Sequence, residues 1–329
     1  MRVFVAGATG ALGIPVLRQL AARGHDIIGM TRSNSKRAQI AQFGARAVVA
    51  DALDRQALAQ AVCEAAPTHV LHLLTALPKH GPLRTADIAA TNQLRIIGTA
   101  NLLQAAIAAG ATRLVGESFI MVYGYGDLGA RPRAEDELPP VPDLDTGLRA
   151  VVDALRSLEQ QLLRANDQQL IETVVLRYGM FYGAESASTR YIVGELRKRR
   201  VPLVRGGRGL ASLIHIEDAA AATIAALECG RPGAIYNIAD DEPINFNEFV
   251  AATAAAVGAP RPFALPGWLL RLVAPVLVDL VSARLPVSNA RARRELGWQP
   301  RFPSYREGLR QLAGELGGAG AARSATSSA

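Results

Sequence analysis

The apolar run Val3-Phe4-Val5-Ala6 passes directly into Gly7-Ala8-Thr9-Gly10-Ala11-Leu12-Gly13, and a helix-patterned stretch follows. A strand, a glycine-rich turn and a helix start in that order leave few folds open, because each glycine has its own steric job. Gly7 allows the tight turn, Gly10 lets backbone approach a diphosphate, and Gly13 lets the helix pack close to the strand. Free N–H groups at the helix start then face the anion. Leu12, Val16 and Leu20 recur at helical spacing and give the helix a buried stripe, with Gly24 placed to end it. Gly7, Thr9, Gly10, Ala11, Leu12 and Gly13 are therefore expected to hold a dinucleotide.

Short apolar runs alternate with helical patterns through the first half of the chain. The runs at 2–6, 27–30, 46–50, 69–74, 112–116 and 172–177 read as strands, and helices centre near 17, 39, 59, 100 and 156. Such alternation predicts an α/β fold, a doubly wound parallel sheet of the Rossmann kind. After Arg177 the rhythm breaks and returns for Ala234 to Ile238. The expected division is a nucleotide-binding domain of 1–178 plus 213–240, and a smaller, mainly helical substrate-binding domain of 179–212 plus 241–313. From about Gly314 the chain is Gly, Ala and Ser without periodicity, so 314–329 is expected to be a disordered tail.

With 329 residues, half of them hydrophobic, a large core is available. The two cysteines, Cys63 and Cys229, have no metal-ligand spacing, so neither a disulfide scaffold nor a metal site is expected, and a reducing cytoplasm fits. The chain opens on a strand rather than a charged and then apolar leader. Phe263 to Val281 is apolar but carries Pro266, Arg271, Pro275 and Asp279, which rules out a membrane span and suggests packed helices or a greasy lid. The net charge is +7, and its densest run, Arg197-Lys198-Arg199-Arg200, has no interleaved aromatics. It reads as a solvated helix end, not a nucleic-acid surface.

Further segments follow in a specific order: Leu71-His72-Leu73-Leu74-Thr75-Ala76, Asn92, Gly98-Thr99, Val122-Tyr123-Gly124, Leu176-Arg177-Tyr178-Gly179, His215-Ile216-Glu217-Asp218, Tyr236-Asn237 and Glu295-Leu296-Gly297-Trp298-Gln299-Pro300. Across roughly residues 1 to 312 the chain resembles the extended short-chain dehydrogenase/reductase superfamily of the NAD-dependent epimerase/dehydratase type. The resemblance implies hydride chemistry by a Tyr-x-x-x-Lys pair on the fifth helix, with a Ser or Thr after the fifth strand. A phenol near pKa 10 needs a neighbouring cation to exchange protons at neutral pH. Here the chain departs from its relatives. It has three lysines, Lys36, Lys79 and Lys198, none between 80 and 197. Val151 and Leu155 fall at the tyrosine and lysine positions, Phe119 falls at the hydroxyl position, and Ser118 comes one residue early. Nucleotide-sugar members also place an arginine four residues before the histidine of His-x-x-Asp, where this chain has Ala211. A small lipophilic substrate is expected instead.

An acidic residue at the tip of the second strand would hydrogen-bond a ribose 2′-hydroxyl; this chain has Arg32 there, whose forked donors suit a 2′-phosphate. NADP is expected, with NAD as the alternative. The resemblance places Asp51 and Ala52 beside adenine, Leu74, Thr75 and Ala76 beside ribose, and Tyr178 beside the nicotinamide. Candidates for the missing proton donor are Ser118, Tyr123 and Tyr125; Lys79 and His80 read as a solvated loop, and His215 and Asp218 as structural joints. The resulting expectation is an atypical NADP-dependent oxidoreductase acting on a carbonyl or hydroxyl of a small, fairly apolar metabolite. The alternatives are an epimerase, dehydratase or redox-silent cyclase or isomerase, and an NADP-binding sensor or assembly protein. Ala- and Leu-rich faces near 100 and 156 allow a homodimer.

Overall fold

The computed structural model describes residues 1–139 and 148–326. Its centre is a parallel seven-stranded sheet built from β1 (Arg2–Ala6), β2 (Asp26–Thr31), β3 (Arg46–Val49), β4 (His69–His72), β5 (Arg113–Phe119), β6 (Glu172–Tyr178) and β7 (Ile235–Ile238). The spatial order is β7-β6-β5-β4-β1-β2-β3. The chain winds outward through β2 and β3, then returns to the other side of β1, so a crevice opens between the carboxyl ends of β1 and β4.

Strand period sends alternate residues to opposite layers. Val3 and Val5 join one buried cluster with Leu17 and Leu20 of helix Gly13–Ala22 and Ile224 and Leu227 of helix Ile216–Cys229. Phe4 and Ala6 join the other, with Leu102, Leu158 and Leu162. Each fully buried Leu or Ile contributes about 1.5–3 kcal/mol to holding its helix on the sheet. At Gly116 the packing is tight enough that a Cβ would stand 2.4 Å from Leu162, so β5 and helix Leu148–Asp167 meet through a missing side chain.

Three features differ from the sequence reading. The helix near 100 runs as Ala86–Gln93, a π-helical turn Leu94–Gly98, and Thr99–Ala108. Leu213–His215, placed above in the nucleotide-binding domain without a strand assignment, pairs with Met180–Tyr182 in a separate two-stranded sheet. The tail expected to be disordered from Gly314 is helical to Thr326, within helix Tyr305–Thr326.

Outside the sheet, His215 caps helix Ile216–Cys229 by accepting from the Glu217 N–H through Nδ1, and Asp218 accepts from the Arg301 and Phe302 N–H groups at 2.9 and 2.8 Å. No helix among the described residues is long and apolar enough to cross a membrane, and these residues hold no cluster of metal-ligating side chains.

Candidate active site

The turn after β1 carries the steric constraints read from its glycines. Gly7 has φ +97°, and a Cβ there would stand 2.1 Å from the Leu73 carbonyl oxygen at the end of β4. A Cβ on Gly13 would stand 2.2 Å from the Gly7 carbonyl oxygen. No side chain among the described residues caps the helix that starts at Gly13; Ile14 and Val16 donate to the Gly10 and Leu12 carbonyls and Pro15 has no N–H, so the turn itself, Ala11 to Gly13, carries the N–H groups left for an anion. The turn therefore shapes an anion cradle at the mouth of the crevice.

A cleft of about 210 Å³ opens there, lined by Gly7, Thr9, Gly10, Arg32, Ser33, Lys36, Ala52, Leu73, Leu74, Thr75 and Leu94 among others. Seven of the sequence candidates, Gly7, Thr9, Gly10, Arg32, Ala52, Leu74 and Thr75, thus meet at one place. Ala11, Leu12 and Gly13 continue the turn into its helix. Asp51 is exposed beside the cleft, with its carboxylate accepting from the Leu53 N–H at 3.0 Å, and the Ala76 N–H is engaged by Thr91 Oγ1 at 3.0 Å. Tyr178 is not among the cleft-lining residues: its ring is fully buried and its hydroxyl is 2.7 Å from Thr223 Oγ1. Lys79 and His80 are exposed on the loop that follows β4.

The proposed proton donors occupy different surroundings. Ser118 is 1% exposed and donates to Glu159 Oε1 at 2.6 Å. Glu159 in turn holds Arg177 through two hydrogen bonds of 2.9 and 2.7 Å. Arg177 reaches the Tyr123 hydroxyl at 3.0 Å, and that hydroxyl donates to Asn237 Oδ1 at 2.9 Å. Ser118 and Tyr123 are therefore satisfied members of a buried network joining β5, β6, β7 and helix Leu148–Asp167. The guanidinium is held charged against its own desolvation by the Glu159 carboxylate.

Val151 and Leu155, where the resemblance expects tyrosine and lysine, are 4% and 0% exposed. They belong to an apolar cluster with Ile88, Tyr125 and Val276, and half-buried Phe119 packs against it. At these two positions the structure has packed hydrocarbon.

Two charged residues that the sequence reading passed over lie beside this cluster. Gly116 of β5 pairs with His72, the last residue of β4, so Glu117 extends beyond β4 while still pairing with Leu176 of β6. Desolvation pushes its carboxyl up to about 7 despite the nearby Arg95 charge. Arg95, 7% exposed, sits on the π-helical turn directly after cleft-lining Leu94. Its Nη1 has one long hydrogen bond, 3.4 Å to Asn92 Oδ1. Next to it His72 donates from Nε2 to Thr99 Oγ1 at 2.8 Å while Nδ1 faces the Leu74 N–H, and burial lowers its pKa to about 4, so it is neutral. The signal in the sequence was a charge inside each apolar pattern: Glu117 within Leu114-Val115-Gly116-Glu117, and Arg95 between Leu94 and Ile96.

This fold and crevice define a Rossmann enzyme of the extended short-chain dehydrogenase/reductase superfamily. The chain belongs to the NAD dependent epimerase/dehydratase family, whose pattern matches residues 3–239. A 3-diazoavenalumate denitrifying reductase of Streptomyces is 39% identical over 312 residues, covering 94% of this chain and 99% of the relative. A 2-alkyl-3-oxoalkanoate reductase of Stenotrophomonas maltophilia is 31% identical, covering 95% and 98%. The crystal structure of a Thermus thermophilus UDP-glucose 4-epimerase in complex with NAD superposes with a TM-score of 0.79 at 24% identity, over 97% of this chain and all of the other, and so shares the fold. The chain is an NAD(P)-dependent enzyme of the oxidoreductase and epimerase type.

Proposed function

We propose that the protein is an NADPH-dependent reductase that transfers hydride to an electrophile needing no proton from a side chain, and that this electrophile is a diazo compound in its diazonium form. The observation that carries the reading is the apolar filling of the relay position by Val151, Leu155 and Phe119. Ketone reduction ends on an alkoxide that must be protonated, and a phenol with a nearby ammonium ordinarily supplies that proton. Loss of dinitrogen makes no such demand. When bound, reduced nicotinamide supplies a hydride. At the substrate the new C–H bond forms as the C–N bond breaks, the C–N electron pair leaves with N2, and the oxidised nicotinamide takes over the positive charge. The 39% identical relative, whose name describes a reductase of a diazo compound that removes nitrogen, supports the same chemistry.

Gly7, Thr9, Gly10 and the helix starting at Gly13 would cradle the diphosphate, Leu74 and Thr75 the ribose, and Ala52 the adenine edge. Arg32, just past the end of β2, with Ser33 and Lys36 in the same cleft, would take the 2′-phosphate of NADP. The apolar cluster of Val151, Leu155 and Val276 would suit a small lipophilic substrate beside it. Exposed Ile96 and Ile97, 44% and 47% accessible, offer an apolar strip for a homodimer.

The test is to mix purified protein and NADPH with an arenediazonium salt and, separately, with a 2-alkyl-3-oxoalkanoate. Enzyme-dependent NADPH oxidation with equimolar N2 release from the diazonium is expected. Oxidation with the ketone alone would replace this reading by carbonyl reduction, and no oxidation with either would leave a nucleotide-binding protein without this turnover.

A further inference from the structure

Two features of the sequence find no use in the crevice: the apolar stretch that begins at Phe263 and the basic run Arg197-Lys198-Arg199-Arg200. The structure brings them together. Strand Ala264–Pro266 pairs in parallel with strand Leu203–Arg205, in a register that sets Arg205 opposite Pro266. The Leu203 N–H donates to the Phe263 carbonyl at 2.8 Å, and Arg205 Nη2 donates to the Ala264 carbonyl at 3.4 Å. The basic run thus leads into one strand, and helix Gly267–Arg271 leaves from the end of the other. This platform is anchored, because Asn247 holds the Val204 N–H at 3.1 Å and the Val204 carbonyl at 2.8 Å. On it Trp268, Leu272 and Val273 are 67%, 69% and 60% exposed, with Phe263 and Leu269 exposed beside them in sequence. Single exposed apolar side chains are ordinary, but five in one short segment make a patch that calls for a partner.

The surrounding charge says what that partner is. Segments 196–212 and 256–278 together carry eight arginines and lysines and no aspartate or glutamate. Glu195 answers Lys198 and Arg200, and Asp279 answers Arg271. Arg197, Arg199, Arg205, Arg208 and Arg261 are exposed and make no ion pair among the described residues. A second copy of the chain would set these cations against their own kind, and a nucleic acid would leave the tryptophan and aliphatic side chains in water. We propose that this surface docks on an anionic lipid leaflet, with Trp268, Leu272 and Val273 entering the headgroup region and the free guanidinium groups facing lipid phosphates. Tryptophan settles at that depth because its ring is apolar and its N–H is polar, and a short apolar insertion combined with a basic patch binds where either alone is weak. Helix Pro275–Ser282 follows Val273 almost directly, and its Val276 belongs to the cluster of Val151 and Leu155. Docking therefore sets that apolar region against the phase in which lipophilic molecules dissolve. The surface does not depend on the diazo reading.

The test is co-sedimentation of the full chain with vesicles of phosphatidylcholine containing phosphatidylglycerol and, separately, of phosphatidylcholine alone. The wild type should prefer the anionic vesicles by about tenfold or more, and added salt should erode that preference. R199Q/R205Q should lower the preference by about tenfold, and W268S/L272S should weaken binding to both vesicles by about tenfold. Thermal unfolding of each variant controls for folding, which these exposed positions should leave intact. A second arm needs no variant. The chain has two tryptophans, and Trp298 is buried, so quenching of wild-type emission by vesicles with brominated acyl chains reports Trp268. Quenching that saturates with anionic lipid is expected. Absence of vesicle binding, binding without quenching, or binding indifferent to both pairs of substitutions overturns the proposal. Self-association by sedimentation velocity that W268S/L272S abolishes, with no vesicle binding, assigns the patch to a second copy and overturns it equally.

Discussion

At the scale of single residues, the proposed preference for NADPH turns on the charge at position 32. Arg32 is exposed at the cleft rim, where a guanidinium attracts a 2′-phosphate and an aspartate would accept from a 2′-hydroxyl while repelling phosphate. R32D is therefore expected to weaken NADPH binding by about tenfold or more and to improve NADH binding, as read by calorimetric titration. Unchanged selectivity would move the phosphate contact to Lys36 or Ser33. Asp240 makes a different residue-scale statement. It is 3% exposed, neither of its carboxylate oxygens has a partner among the described residues, and burial, reinforced by Asp241 and Glu242, pushes its pKa up to about 9 from 3.8. The folded protein thus keeps this carboxyl neutral while the unfolded chain ionises it. Its contribution to stability is whole below about pH 3.8 and declines as pH rises toward 9. D240N should leave stability near the wild-type value in acid and exceed it by a margin growing up to about 1.4 kcal/mol per pH unit through neutrality. Urea unfolding at several pH values reads that margin; a constant difference would mean that Asp240 is ionised in the fold.

At the scale of elements, the buried Glu159–Arg177 pair ties helix Leu148–Asp167 to β6, and Ser118 extends the tie to β5. Removing one member leaves the other charge desolvated, so R177M should cost about 3–5 kcal/mol, and a double change that removes Glu159 as well should recover part of it. Denaturant titration of the single and double variants gives the coupling; additive losses would contradict a shared network. Elements were legible in the sequence where local pattern and tertiary demand agree. β1, read as 2–6, is Arg2–Ala6 because a strand buried on both faces is a plain apolar run. Ser118 carried the right chemistry by sequence, but strand parity turns it toward Glu159, while Glu117, unread as a candidate, takes the opposite face. Arg95 was invisible for a related reason. Its inward direction depends on a π-helical turn that no hydrophobic period announces.

At the scale of the whole molecule, the architecture separates two tasks. The crevice between β1 and β4 supplies an anion cradle fixed by glycines that admit no Cβ, while the apolar cluster around Val151 and Leu155 takes the place where relatives are expected to manage protons. Under the proposed reading such a site keeps nucleotide binding and gives up proton transfer by side chains, which suits an electrophile whose leaving group carries off its own electron pair. The most direct measurement is the fate of hydrogen when the enzyme turns over 2-hydroxybenzenediazonium with NADPH deuterated at C4 of the nicotinamide. The expected product is phenol with one deuterium at the carbon that bore nitrogen, formed at one N2 per NADPH oxidised. Protium at that carbon drawn from solvent, with the deuterium retained in the cofactor, would contradict hydride transfer without a protein proton donor.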